Sequence, residues 1–155
     1  FAETGVKAAL EAGDYKMLDR SKATNPEEVR QVILSHLDCD TFFMSTNALT
    51  TKGELVNIDG NSNRLACLLY GPKQVIVLVG MNKIVKDVSS GIERIHTIAC
   101  PPNGKRLHTG TPCAEVGVCG NCHDEGCMCC NIVVTRHNRH EGRIKVILIA
   151  EDLGF

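Results

Sequence analysis

The amino-acid sequence predicts an α/β fold: a mostly parallel sheet with flanking helices and a C-terminal hairpin. Three observations carry this expectation. Short β-prone runs alternate with segments of helical spacing, the pattern of strands connected through helices. A chain of 155 residues can build one hydrophobic core but leaves little for a second. The last two apolar runs, "NIVVTRH" and "RIKVILIA", flank a turn over residues 138–142 and read as a hairpin.

Taken in order, Val6, Ala9 and Leu10 give residues 3–12 one helical face, with Gly13 just past its end. A stronger signal follows: Asn25 stands as N-cap, Pro26 takes the first helical position and Glu28 has capping-box spacing. That helix runs to about Leu37 with Val29, Val32, Ile33 and Leu37 inward. "TFFMS", "ELVNI" and "KQVIVLV" read as strands, and "NRLACLLYG" between the last two reads as a helix closed by Gly71. Helical spacing returns in Val88, Ile92, Ile95 and Ala99, and Pro101 and Pro102 are expected to end that helix.

Composition excludes several classes. The formal net charge of -1 provides no bulk attraction to nucleic acid or to an anionic membrane. The basic cluster around the terminal hairpin, Arg136 to Lys145, lacks interleaved aromatics, so no nucleic-acid partner is expected. Apolar runs such as "VIVLVG" are far too short for a membrane span. The first residues lack the basic start and apolar centre of a secretory signal, and a domain of this size folds without disulfide staples, so the expected compartment is the cytoplasm. No nucleophile elbow, P-loop, zinc-protease helix or complete dinucleotide fingerprint occurs, and no general base is identifiable.

Two stretches carry chemistry. Six of the nine cysteines fall in residues 111–131: Cys113, Cys119, Cys122, Cys127, Cys129 and Cys130. The C-x-x-C step at Cys119 and Cys122 can turn two thiolates toward one ion, and Gly117, Gly120 and Gly126 let backbone N–H groups approach the sulfurs. Soft sulfur donors select zinc or an iron-sulfur cluster, and the spacing does not separate the two. A redox-active dithiol at Cys119 and Cys122, or plain structural thiols, are the alternatives. His123 could replace one sulfur. Cys39, Cys67 and Cys100 sit in apolar segments and read as core cysteines.

The other stretch is residues 45–72. Ser45, Thr46 and Asn47 follow a strand where parallel α/β folds build ligand sites, and "DGNSNR" leads into the next helix. Asn47, Asn61, Asn63, Arg64 and Lys83 are the candidate ligand-binding residues. Arg64 and Lys83 would neutralise a small anionic organic acid or phosphate, and the asparagines would hydrogen-bond its polar groups. The plainer alternative is an Asp59–Gly60 turn with Asn61 or Ser62 as a helix cap.

Together, "TNALTTKGELVNIDGNSNRLACLLYGPKQVIVLVGMNKIV", "TPCAEVGVCGNC" and "GRIKVILIAEDLGF" resemble the LUD domain, the domain of lactate-utilisation proteins, in its small single-domain type. The resemblance spans nearly the whole chain, so residues 1–155 are expected to form a single LUD-like domain. It implies a fold similar to the sugar-phosphate isomerase and CoA-transferase superfamily, with a further strand and a Gly/Ser/Thr-rich turn upstream that this chain lacks. It also implies a bacterial or archaeal cytoplasmic protein associated with an iron-sulfur L-lactate oxidation system, whose other redox-complex subunits are its expected partners. Similar sequences have thiols matching Cys113, Cys119, Cys122 and, before Asn131, Cys130. These four are therefore the expected ligands of a 4Fe-4S cluster or zinc, although the last interval is longer here and Cys127 and Cys129 are additional. The leading expectation is a subunit acting in organic-acid oxidation. The alternative is a non-catalytic binding or assembly module whose cysteine loop is a structural zinc clip.

Overall fold

The computed structural model describes residues 3–155; Phe1 and Ala2 lie outside the described residues. Six α-helices are α1 (Val6–Ala12), α2 (Pro26–His36), α3 (Asn63–Leu69), α4 (Val88–Arg94), α5 (Cys100–Leu107) and α6 (Pro112–Val116). Seven strands are β1 (Thr41–Met44), β2 (Ala48–Thr50), β3 (Leu55–Asp59), β4 (Gln74–Gly80), β5 (Ile84–Val85), β6 (Asn131–Thr135) and β7 (Ile144–Ile149). They form two sheets. One is wholly parallel, in the order β1-β4-β7; the other, in the order β5-β2-β3-β6, pairs β2 with β5 in parallel and is otherwise antiparallel. The α/β class with a mostly parallel sheet and flanking helices is therefore observed.

The C-terminal hairpin is not. β6 pairs antiparallel with β3 from Asp59↔Asn131 to Leu55↔Thr135, while β7 pairs in parallel with β4 from Val75↔Ile144 to Gly80↔Ile149. The turn at residues 138–142 is thus a crossover from one sheet to the other. The reason lies in the partners: a β6–β7 pair would strip β3 and β4 of a neighbour each, leaving two rows of backbone donors and acceptors unpaired beside the core.

Two further departures are local. Pro101 and Pro102 do not end the helix begun at α4. Residues Ile95–Ala99 form a π turn, with Cys100 N–H donating to the Ile95 carbonyl, and the prolines then occupy the first turn of α5, where their missing N–H groups break no bond. The wide turn absorbs the register change that the prolines demand. β2 and β5 were not anticipated, since three and two residues are too few to show a period.

The cap before α2 forms as the sequence indicates. Asn25 Oδ1 accepts from Glu28 N–H at 2.9 Å, and Glu28 Oε2 reaches back to Thr24 N–H at 2.8 Å, one residue earlier than the usual box. The core lies on both faces of the four-stranded sheet, as alternation along its strands requires. Leu49 and Leu55 join Met44, Leu65, Leu68, Val75, Val77 and Val79 on the side facing the parallel sheet. Their chain neighbours Ala48 and Val56 turn the other way, to Ile58, Ile95, Ala99 and Cys100. Arg143 ties the end of the chain to α3: its guanidinium donates to the carbonyls of Cys67 at 2.9 Å, Leu68 at 2.7 Å and Pro72 at 3.1 Å, satisfying acceptors that a helix C-terminus leaves open.

Candidate functional site

The polar edge is built at the C-terminal ends of β1 and β4, where parallel strands leave their last backbone groups free to meet a ligand. Ser45, Thr46 and Asn47 cross from β1 to β2 there and touch three cations. Arg64, from the first turn of α3, donates to the Ser45 carbonyl at 3.0 Å and to Asn47 Oδ1 at 2.6 Å. Lys83, after β4, donates to Ser45 Oγ at 3.2 Å. Arg94, the last residue of α4, donates from Nη1 to the Asn47 carbonyl and from Nε to the Asn82 carbonyl, each at 2.9 Å.

The three cations are held differently. Arg64 also donates to Asp59 Oδ2 at 2.7 Å, Asn57 Oδ1 at 3.0 Å and the Ile58 carbonyl at 3.2 Å, so all five of its N–H donors have protein acceptors. It fixes the relative positions of β1, β3 and α3, and offers no donor to a ligand without giving one up. Lys83 and Arg94 are only 7% and 6% exposed, and among the described residues neither forms an ion pair. Burial, reinforced by the charges of Arg94 and Arg64, pulls Lys83 down to about 8, with Glu3 offering the smallest compensation; burial also lowers Arg94. A buried charge without a counter-ion is costly, so this pair favours the arrival of an anion.

Asn57 adds a second sign. It is fully buried in β3, its Oδ1 accepts from Arg64 and from Asn47 N–H at 3.3 Å, and its Nδ2 has no partner among the described residues. A buried donor with no acceptor is uncommon enough to mark a place where a water or ligand oxygen belongs.

The segment after β7 folds over this edge. Glu151 accepts from Met81 N–H at 3.0 Å, Leu153 N–H donates to Asn82 Oδ1 at 3.2 Å, and Asn82 Nδ2 donates to the Gly154 carbonyl at 3.0 Å. Gly80 permits this approach, because a Cβ there would come within 2.9 Å of all three neighbours, Asn82 Oδ1, Leu153 N and the Glu151 carbonyl.

Of the five anticipated ligand residues, Asn47, Arg64 and Lys83 converge. Asn63 caps locally, its Oδ1 accepting from Arg64 N–H at 2.9 Å, and Asn61 is exposed outside the network. The start of α3 is likewise occupied, since Ser62 N–H donates to Asp59 Oδ1 at 3.3 Å. Arg94 and Asn57 were missed. Asn57 left a signal, since it interrupts an apolar strand; Arg94 left none, because its inward place one turn after the buried Gly91 comes from the packing of α4.

The cysteine region is arranged otherwise than the four-ligand expectation. Cys130 is exposed, and its thiol donates to the Cys127 carbonyl at 3.3 Å. Cys113 lies half-buried against the helix-side core, its sulfur 3.3 Å from Thr111 Oγ1. Cys100, 8% exposed at the start of α5, sits 3.3 Å from Cys129 across sulfur atoms; the hydrogen bond from Cys129 lowers Cys100 and raises Cys129. His123 is exposed. Among the described residues no three His, Cys, Asp or Glu side chains are disposed to hold a metal ion. A 4Fe-4S cluster or tetrahedral zinc held by Cys113, Cys119, Cys122 and Cys130 needs these sulfurs turned toward one centre, and Cys130 points its thiol at the Cys127 carbonyl. Cys67 is a core thiol that burial pushes up to about 11.

Fold and site together define an α/β domain whose polar edge is cationic. More narrowly, the chain belongs to the LUD domain family, a lactate-utilisation-type family whose model matches residues 1–149. No curated protein and no solved structure matches it. No helix among the described residues is long and apolar enough to cross a membrane.

Proposed function

We propose that this chain is a cytoplasmic LUD-domain subunit of an organic-acid oxidation system, with L-lactate the leading substrate, and that its polar edge binds a small anionic organic acid or phosphate. The observation that carries the reading is the pair of buried, ion-pair-free cations, Lys83 and Arg94, beside the unpartnered Asn57 Nδ2. In this reading Lys83 and the Nη2 of Arg94, which has no acceptor among the described residues, meet the ligand's charge. Ser45 and Asn57 offer neutral polar atoms, and Arg64 positions the wall they stand on. No residue is given the role of base or nucleophile, so the reading concerns binding and not a bond-making step. Redox-complex subunits remain the proposed protein partners.

Iron-sulfur or zinc ligation by Cys113, Cys119, Cys122 and Cys130 is left out of this reading, because the loop would first have to turn Cys130 inward.

The test is thermal denaturation with L-lactate, pyruvate and inorganic phosphate, each titrated to saturation. A ligand that binds the native state alone raises Tm with concentration. We expect a saturable rise with at least one of the three, abolished in Lys83→Met and weakened above pH 8, where Lys83 loses its proton. A flat response to all three in the unaltered chain would sink the proposal.

A further inference from the structure

The cysteine region holds sulfur chemistry that the four-ligand pattern does not describe. Cys100 and Cys129, 29 residues apart in sequence, are joined by a hydrogen bond between their sulfurs at 3.3 Å. They come from different elements: Cys100 opens α5 directly after the π turn, and Cys129 stands two residues before β6. Both flanks are anchored. The helix carrying Cys100 packs its Ile95 and Ala99 into the core beside Val56 and Ile58, and Cys129 packs against the same cluster. The contact is therefore imposed by the fold and is not a chance meeting of two mobile thiols.

We infer that Cys100 and Cys129 are a reversible dithiol–disulfide pair, oxidised by low-molecular-weight disulfides of the glutathione class. A disulfide bond is about 2.05 Å long, so the sulfurs need close by little more than an ångström, within the reach of side-chain rotation. The half-exposed Cys129 is the sulfur a soluble disulfide reaches, while Cys100 is shielded. The reaction balances as two exchanges. Cys129 passes its proton to the hydrogen-bonded Cys100 sulfur, whose thiolate that bond favours, and attacks one sulfur of the small disulfide, forming a mixed disulfide and releasing a small thiolate that takes a proton from water. Cys100, after losing its proton to water, then attacks Cys129 Sγ, forming the protein disulfide and releasing the second small thiol. The protein loses two hydrogens and the small disulfide gains them.

Neither the C-x-x-C step nor Cys130 offers the same geometry. Among the described residues Cys119 and Cys122 are not joined by a hydrogen bond, the thiol of Cys122 meeting Cys127 instead, and Cys130 points its thiol at a backbone carbonyl. Closure of the Cys100–Cys129 bond would link α5 to the start of β6 and fence off the intervening segment, which contains α6, Cys113, Cys119, Cys122 and Cys127.

The experiment equilibrates the whole chain, without added metal, across a series of reduced-to-oxidised glutathione ratios. Free thiols are then blocked, and proteolytic peptides are mapped by mass spectrometry. We expect a Cys100–Cys129 linkage that rises with the oxidised fraction, disappears again on reduction, and forms unchanged in Cys130→Ser. Cys129→Ser should lose two titratable oxidation events, not one, and retain the native far-ultraviolet dichroism. The map of the unaltered chain decides the matter even should a variant fail to fold. Oxidation concentrated at Cys119–Cys122, accumulation of a stable mixed disulfide at Cys129, or no internal linkage at the oxidising end would each overturn the assignment.

Discussion

The polar edge and the cysteine loop are the two places where this chain concentrates reactive side chains, and they are held by opposite means. At the edge every position is fixed by hydrogen bonds between elements: Arg64 alone spans β1, β3 and α3 with all five donors, and Arg94 ties α4 to the segment after β1 and to Asn82. The loop from residue 117 to 130 has no helix or strand, and its contacts are few and close. Met128 lies over Gly60, and Gly126 lies against the Thr109 carbonyl. A site assembled by many directional bonds is specified before any ligand arrives. A loop held at a few points specifies only the sulfurs at those points, Cys129 against the core among them.

The comparison can be broken most forcefully at Arg64. Replacing it by alanine strands the carboxylate of Asp59 and the buried oxygens of Asn47, Asn57 and Ile58, and we expect a loss of about 3–5 kcal/mol in urea unfolding. Arg64→Lys should recover only a minority of it, because one ammonium cannot serve acceptors on three elements.

Lys83→Met acts in the opposite direction. The folded chain releases the Lys83 proton at about pH 8 and the unfolded chain at 10.5. Between those values the unfolded state binds the extra proton, so stability climbs with pH. Below 8 the full penalty of burying the charge is present. The variant should therefore be more stable than the unaltered chain at pH 7, by about 1–3 kcal/mol, with the gap closing toward pH 10.5. Denaturant melts at four or five pH values check it; a variant less stable at pH 7 would show that Lys83 already has its counter-charge.

In the loop the effects are smaller. Gly126→Ala would drive a methyl group into the Thr109 carbonyl, and we expect about 1–2 kcal/mol together with faster proteolytic nicking between residues 117 and 130. Cys130→Ser, at an exposed sulfur bonded only to a neighbouring carbonyl, should change stability by less than about 0.5 kcal/mol. A larger loss, or loss of bound iron or zinc in metal analysis of anaerobically purified protein, would place Cys130 in a metal site after all and move the loop closer to the edge in character.

Sequence patterns exposed those parts of the fold that depend on local chemistry. The Asn25 cap, the α3 helix closed before Gly71, and the strands β1, β3 and β4 each write their own period or punctuation. Pairing partners are not local, which is why two adjacent apolar runs around a turn suggested a hairpin when each strand in fact had a better edge waiting elsewhere. The π turn was equally hidden, since two prolines after a helical stretch ordinarily end it. At the edge, Lys83 was readable because it follows a strand of the parallel sheet. Arg94 was not, because a helical arginine ordinarily faces water and only the packing of α4 on β2 and β3 turns it inward. Spacing drew attention to cysteines near one another in sequence, whereas one sulfur pair at 3.3 Å belongs to residues 29 apart.

The split of the two last strands has a consequence for biosynthesis. β3 acquires its second neighbour only when β6 is available, β4 only when β7 is, and α3 receives the Arg143 guanidinium from beyond both. A ribosome that has delivered everything through Cys130 has released all nine thiols but neither closing strand. For that interval the nascent chain carries two open sheet edges beside these nine cysteines, so chaperone capture and a reducing environment matter most while residues 131–149 are being added.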